Sequence, residues 1–543
     1  MSRTPDKSAT PLELSARTRE SNLQRMSSEC FDVAVIGGGI TGAGVALDAA
    51  TRGLSVALIE KRDFASGTSS KSSKLIHGGL RYLEQLEFGL VYESLHERAV
   101  LSRIAPHLSK PLTFLVPLYS SGALSPLGNN KLKLAAGLWL YDLLAGRRNV
   151  GRHRWLSRDA ALAMAPALEP RDLRGAFCYY DCLTDDSRLV IEVIKSAAGH
   201  GAVVANYVSA AGLSKTKDGA TRIRLDNLLA GGELELRANV TVNATGVWSD
   251  EVSRLSSSKA VPRLRPSKGI HVVVPSEKLG NNAAVLIPSV GENRFLFVIP
   301  WHGFTVIGTT DSDYSGDLDN PRAEFSEVES VIRSAASAFP AAHLSVNHVI
   351  STFAGLRPLI AGDEKFTKEL SRREEIFEDE SGLITITGGK LTTWRRMAEK
   401  VVDIAVRRLQ TFGTLRNPNL HHSVTETVQL AGGAITSDAR KEALTEAVEY
   451  GIELSTVEHL MDTYAANYRV ILEMTRKSSE LKRALTTGLP HIEAEVSYAA
   501  RHEMAVQVED ILSRRTRIEL LTSDRGQSCA ERVLNLLQHE AGR

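Results

Sequence analysis

Apolar positions from Phe31 onward fall into a run, a break and a stripe. FDVAVIG (Phe31–Gly37) is short and rich in Val and Ile, glycines follow, and Ile40–Arg52 has the apolar spacing of a helix; LSVALIE (Leu54–Glu60) is a second apolar run. Together they predict a β-α-β unit at the head of the chain. Later strand-like runs fall at Ala202–Asn206, Val240–Asn243, His271–Val274, Phe295–Ile299, Thr305–Ile307 and Leu383–Thr387, with helical patterns at Ser187–Ala198 and Thr392–Arg408. Beyond about Asn417 the pattern turns to amphipathic helices at Asp438–Glu449, Ser455–Ala466, Tyr468–Arg476, His491–Glu503 and Ala530–Glu540.

The loop chemistry of TFGTLRNPN (Thr411–Asn419) puts a boundary near residue 412, so the expected plan is a mixed α/β region at 31–411 and an all-helical one at 412–543. A length of 543 residues suits two or three cores. Residues 1–30 mix Arg3, Arg17, Arg19 and Arg25 with Asp6, Glu13, Glu20 and Glu29 and hold no apolar stretch, which predicts a disordered tail.

Charge narrows the partners: 65 Lys+Arg stand against 64 Asp+Glu, so no global field favours nucleic acid. No window reaches the ~20 apolar residues of a membrane span. The nearest, Leu134–Gly146, is short, contains Asp142 and is flanked by Lys131, Lys133, Arg147 and Arg148; it reads as a buried helix or an interfacial membrane contact. The cysteines (Cys30, Cys178, Cys182, Cys529) are scattered, read as reduced, and form no metal-ligand pattern; no metal site is expected.

Gly37-Gly38-Gly39-Ile40-Thr41-Gly42 contains G-x-G-x-x-G at the strand-to-helix turn. Gly37 permits the turn, Gly39 lets a pyrophosphate approach the backbone, and Gly42 lets helix and strand pack closely. The phosphates would meet the unpaired N–H groups of the helix start. Glu60, closing the second strand, is placed to accept from ribose hydroxyls. The Ser/Gly-rich loop Ser66–Leu80 and a second glycine turn, Val242–Gly246, point to FAD rather than NAD, in a cofactor fold interrupted by another domain and resumed.

At this point several segments resemble one family. GGGITGAGVALDAATRG (Gly37–Gly53), SSKLIHGGLRYLE (Ser72–Glu84), YYDCLTDDSRLV (Tyr179–Val190), IGTTD (Ile307–Asp311), AGLRPL (Ala354–Leu359) and GGKLTTWRRMA (Gly388–Ala398) look like, and come in the order of, motifs of the FAD-dependent glycerol-3-phosphate dehydrogenases. RRTR (Arg514–Arg517) extends the likeness into the helical region. Trp394 departs from the usual Tyr, and Ile270, before the histidine of KGIH, from a frequent Ser.

The resemblance implies an FAD-binding Rossmann-like domain of the D-amino-acid-oxidase/glutathione-reductase type, interleaved with a mixed β-sheet substrate domain and followed by the helical domain. The cofactor parts would be about 31–105, 176–250 and 350–411, and the substrate or capping parts about 106–175 and 251–349. Cofactor contacts are expected at Gly37 to Gly42, Glu60, Thr68, Ser69, Ser70, Ser73, Lys74, Ile76, Ala244, Thr245, Gly246, Gly389, Lys390 and Leu391.

It also implies oxidation of sn-glycerol 3-phosphate to dihydroxyacetone phosphate, with electrons passed to a membrane quinone by a homodimer attached peripherally to the cytoplasmic face of the cell membrane. Arg81 and Lys390, with Tyr82 and Thr392 as neutral donors, are expected to bind the phosphate. His271, because imidazole titrates near working pH, is expected to take the alcohol proton, and Arg357 to orient the hydroxyl, although these two could exchange roles. The rival readings are an oxidase delivering electrons to oxygen, an amine or amino-acid oxidase with a carboxylate clamp, and a flavin-binding redox sensor without turnover.

Overall fold

The computed structural model describes residues 12–84, 86–121, 124–127, 130–291, 294–361 and 374–542; within these, the side chains of Arg81 and Glu84 lie outside the description. Two mixed sheets organise the first three quarters of the chain. In the first, Cys30–Ile36 lies parallel to Val56–Ile59 on one side and Glu233–Asn243 on the other; Val203–Ala205 and Leu383–Gly388 extend the parallel set. Because alternate side chains leave opposite faces of a strand, Val33 and Val35 enter a core with the helices Ile40–Thr51, Asp186–Gly199 and Trp394–Thr411, while Ala34 and Ile36 face a second core. Both faces are covered, so the strands read as continuous apolar runs.

That second core corrects the expectation of a disordered tail over residues 1–30. Residues 1–11 lie outside the described residues, but Ala16–Ser28 is a helix capped by Ser15, with Arg19, Asn22, Leu23 and Met26 buried along one face. The face is half polar, which hid it. Arg19 donates to the Asn206 carbonyl (2.8 Å) and Asn22 to that of Val204 (2.9 Å), so buried polarity is met by backbone acceptors rather than by water.

The second sheet runs in the order Ser312–Asp313, Ser267–Pro275, Phe304–Gly308, Phe295–Trp301, Ala284–Pro288, Lys110–Tyr119, Leu173–Leu183 and Leu75–Ile76, with Ser351–Arg357 also on Ser267–Pro275. Leu75–Ile76, most of Leu173–Leu183 and Ser351–Arg357 were expected in cofactor parts; they pair here instead, because the chain crosses between the sheets at each of them. These crossings bring cofactor and substrate segments together.

After Thr411 the described elements are helical, with cores of their own around Leu460, Tyr464 and Tyr498 and around Ile511, Ile518 and Val533. Buried ion pairs tie this region to the sheets: Arg514 and Arg515 reach Asp63 (2.6 and 2.7 Å), Arg517 reaches Asp185 (2.9 Å) and Asp186, and Glu503 pairs with Arg188. The four cysteines are free. No described helix is long and apolar enough to cross a membrane.

Candidate active site

Two adjoining cavities occupy the crossing. The larger, ≈ 380 Å³, runs past Gly37, Gly39, Ile40, Thr41, Glu60, Thr68, Ser69, Ala244 to Gly246 and Gly389 to Leu391. Its floor is set by glycine. Gly37 has φ +112°, and a Cβ there would stand 2.7 Å from the Ala244 carbonyl oxygen; a Cβ at Gly42 would collide with the Gly37 carbonyl oxygen. Gly39 caps the helix Ile40–Thr51 and offers no side chain to it, and a Cβ there would meet only Ser69 Oγ, at 3.1 Å. The one side chain at this turn is Ser69, whose Oγ accepts from the Ile40 N–H (3.0 Å) where a phosphate would meet the helix dipole.

Glu60 braces this turn. Its carboxylate accepts from the Gly38 N–H (2.7 Å) and the Arg62 N–H (2.9 Å), while burial raises its pKa against those two donors. Trp248 Nε1 and Thr387 Oγ1, both in residues lining the cleft, are buried without a protein partner. Bare glycine backbone, a ribose-placed carboxylate and two orphaned polar atoms fit an FAD.

Some expected contacts lie elsewhere. Gly38 and Gly42 shape the turn without lining the cleft. Ser70 turns its carbonyl to Lys74 Nζ (2.7 Å), Lys74 is buried against Asp186 (2.7 Å), and Ile76 is a core residue. The Ser/Gly loop alternates between cavity and core, so a loop composition suited to phosphate overstated how many of its residues reach the ligand. Ser72, Lys61, Trp248 and Ile386 to Gly388 line the cleft without having been singled out.

The smaller cavity, ≈ 250 Å³, shares Thr68, Ser72, Lys390 and Leu391 with the first and also takes in Ser73, Tyr82, His271, Arg357 and Thr392. His271 and Arg357 come from paired strands. The His271 ring stacks on Phe353 (4.7 Å, 9°), its Nε2 lies 2.8 Å from Ser73 Oγ, and its Nδ1 is buried with no partner. Burial, with the charges of Lys74 and Arg357, holds its pKa well below the ordinary histidine value. This corrects the expectation of an imidazole titrating near working pH, since the buried ring holds a proton less readily than a free one.

Arg357 is fixed by Asp311 (3.2 Å), Thr309 Oγ1 (2.9 Å) and the Thr310 carbonyl (3.1 Å). Lys390 Nζ sits 3.8 Å over the Tyr82 ring and 3.3 Å from Ser94 Oγ. Thr392 Oγ1 accepts from the His77 N–H (3.2 Å). Arg81 opens the short helix Arg81–Glu84 beside this cavity, but its side chain lies outside the described residues. Asp181 supports the loop ahead of it, accepting from the Gly78 N–H (3.1 Å), Tyr141 (2.7 Å) and Arg98 (2.5 Å). Arg294 and Thr309 to Asp311 also line the chamber. The IGTTD motif could have flagged the latter; Arg294 has no local signal. Trp394 and Ile270, where the sequence departs from the family pattern, are fully buried and line neither cavity.

A cleft floored by glycine backbone and opening onto a chamber lined by His271, Arg357 and Lys390 fits a flavin-dependent oxidoreductase. Residues 32–454 match the family "FAD dependent oxidoreductase" and residues 423–543 the "C-terminal domain of alpha-glycerophosphate oxidase". Glycerol-3-phosphate dehydrogenase 2 of Mycobacterium tuberculosis is 40% identical over 95% of this chain and 85% of its own length. The aerobic glycerol-3-phosphate dehydrogenase of Staphylococcus saprophyticus is 34% identical over 93% and 90%. A structure of the glycerol-3-phosphate dehydrogenase from Bacillus halodurans complexed with FAD superposes with a TM-score of 0.78 at 30% identity, covering 97% of this chain and 94% of that one. The chain belongs to the family of FAD-dependent glycerol-3-phosphate dehydrogenases.

Proposed function

We propose that the chain oxidises sn-glycerol 3-phosphate to dihydroxyacetone phosphate and passes the electrons to a membrane quinone. The observation that carries this reading is the neutral His271 in the same chamber as Arg357 and Lys390, adjoining the cofactor cleft. FAD, held by the Gly37–Gly42 turn and Glu60, would supply a two-electron acceptor for the substrate hydride. His271 takes the hydroxyl proton at Nε2, the atom facing Ser73. Arg357, already oriented by Asp311 and Thr309, steadies the oxygen as negative charge develops. Lys390, with Arg81, binds the phosphate dianion, and Tyr82 beneath the ammonium keeps it aimed.

A quinone acceptor requires access to lipid. The helix Lys131–Ala145 buries Leu134, Leu138 and Tyr141 but leaves Leu132, Trp139 and Leu143 81%, 61% and 58% exposed on its other side, next to the exposed Lys133, Arg147 and Arg148. That is the make-up of a peripheral contact with an anionic membrane surface, such as the inner face of the cell membrane. A homodimer is part of the same proposal, on family likeness alone.

Anaerobic mixing with glycerol 3-phosphate is expected to bleach the flavin, and a quinone analogue to restore it faster than air; faster restoration by air assigns an oxidase instead. In Lys390→Ala the preference for glycerol 3-phosphate over glycerol should shrink, because a phosphate held less firmly orients the alcohol less well. A preference left intact removes Lys390 from the phosphate site. Flotation with anionic liposomes should be lost in Trp139→Glu.

A further inference from the structure

A third cavity, ≈ 330 Å³, lies where the helical region meets the sheets, lined on one side by Asp185 and His302 and on the other by His459 and His491. Behind it sits Glu495, fully buried. His459 Nε2 is 2.9 Å from Glu495 Oε2, and His491 Nδ1 is 3.4 Å from both carboxylate oxygens. All three ligand atoms fall within 4.8 Å of one another.

The Glu495 carboxylate is met by two imidazoles, a hydroxyl and a backbone N–H. An ionised carboxylate out of water is costly unless paired, and no Lys or Arg pairs with Glu495 among the described residues; its other donors are the Tyr464 hydroxyl (2.9 Å) and the Ile492 N–H (2.9 Å). The comparable cluster of His96, Glu97 and Glu426 differs in having Arg395 against both carboxylates (2.7 and 3.2 Å), so its charge is already met. The 3.4 Å spacing of His491 is long for a charge-assisted hydrogen bond but close to the edge of about 3.3 Å between ligands of one tetrahedral zinc ion. Thr463 Oγ1, 3.3 Å from His459 Nδ1, is the outer partner that orients a metal-bound imidazole.

We propose that His459, His491 and Glu495 bind one divalent transition metal of the zinc class, with an open coordination position toward the cavity. Two imidazoles and one carboxylate are a known zinc ligand set that keeps a position free. The ion would clamp the helix Leu454–Tyr464 to Glu493–His502 and sit where the helical region faces the sheets.

The test uses the full-length, FAD-loaded protein after dialysis against chelator, titrated calorimetrically with zinc chloride and followed by thermal unfolding. One zinc ion per chain should bind and raise Tm, with cobalt(II) giving the visible bands of a low-coordinate site. His459→Ala and His491→Ala should each weaken binding by at least roughly 100-fold and make Tm insensitive to zinc, and Thr463→Val should weaken it roughly 10-fold. Retained FAD and unchanged flavin reduction would certify that the variants are folded. Zinc that binds wild type no better than the two histidine variants, or leaves its Tm unmoved, overturns the proposal.

Discussion

The cofactor cleft and the substrate chamber share four residues yet are built on opposite principles. The cleft presents backbone: its turn works because Gly37, Gly39 and Gly42 lack side chains, and that turn falls within one β-α-β unit. The chamber presents side chains, His271, Arg357 and Lys390, drawn from three separated segments, and each has its own support from Phe353, Asp311 or Tyr82. A backbone site fails when something is added. A side-chain site fails when something is taken away.

The largest expected effect therefore comes from adding atoms to the cleft. Gly42→Val should abolish FAD retention and the fold of the first unit together, since the new side chain has only the Gly37 carbonyl to displace. Gly39→Leu, with no backbone in its way, should keep the fold but lose FAD, read as flavin released per chain on denaturation. Stoichiometric FAD in Gly39→Leu breaks the contrast.

Removing atoms from the chamber should be milder and selective. His271→Ala and Arg357→Ala should slow flavin reduction by about 10²-fold or more in stopped flow, with FAD content near normal. If FAD is lost as readily as from the cleft variants, the two cavities are not separable.

The smallest effect is in pH. A base whose pKa is depressed remains neutral further into acid, so the second-order rate of flavin reduction should stay level down to the ordinary histidine value of about 6.5 and fall only below it. An acid limb at or above that value would show that substrate-free burial of His271 does not govern the reaction.

The same contrast explains what the sequence made legible. The β-α-β unit was readable because turn glycines and apolar period are local. His271 and Arg357 were visible only as motif members; that they share a chamber follows from the pairing of Ser267–Pro275 with Ser351–Arg357, a tertiary fact. The depressed pKa of His271 was invisible for the same reason, since Lys74 and burial act through space. The helix Ala16–Ser28 was missed because its buried face includes Arg19 and Asn22, whose acceptors are carbonyls nearly two hundred positions away. His491 and Glu495 stand four residues apart, but His459 joins them only when its helix packs against their segment, so sequence spacing does not reveal the group of three.

The arginines of RRTR carry a consequence for the order of synthesis. Asp63, Asp185 and Asp186 belong to segments that leave the ribosome early, and all pack into the interior around the cofactor loop. Their guanidinium partners, Arg514, Arg515 and Arg517, are made more than three hundred residues later. Until they arrive, Asp186 has only Lys74 as a cationic partner among the described residues, and the nascent chain must either leave Asp63 and Asp185 wet or protonate them, because a buried charge without its partner costs several kcal/mol. The loop that cradles FAD thus cannot reach its final packing before Arg514 to Arg517 are made, and a chain stopped short of Arg514 should emerge as a colourless polypeptide prone to capture by chaperones.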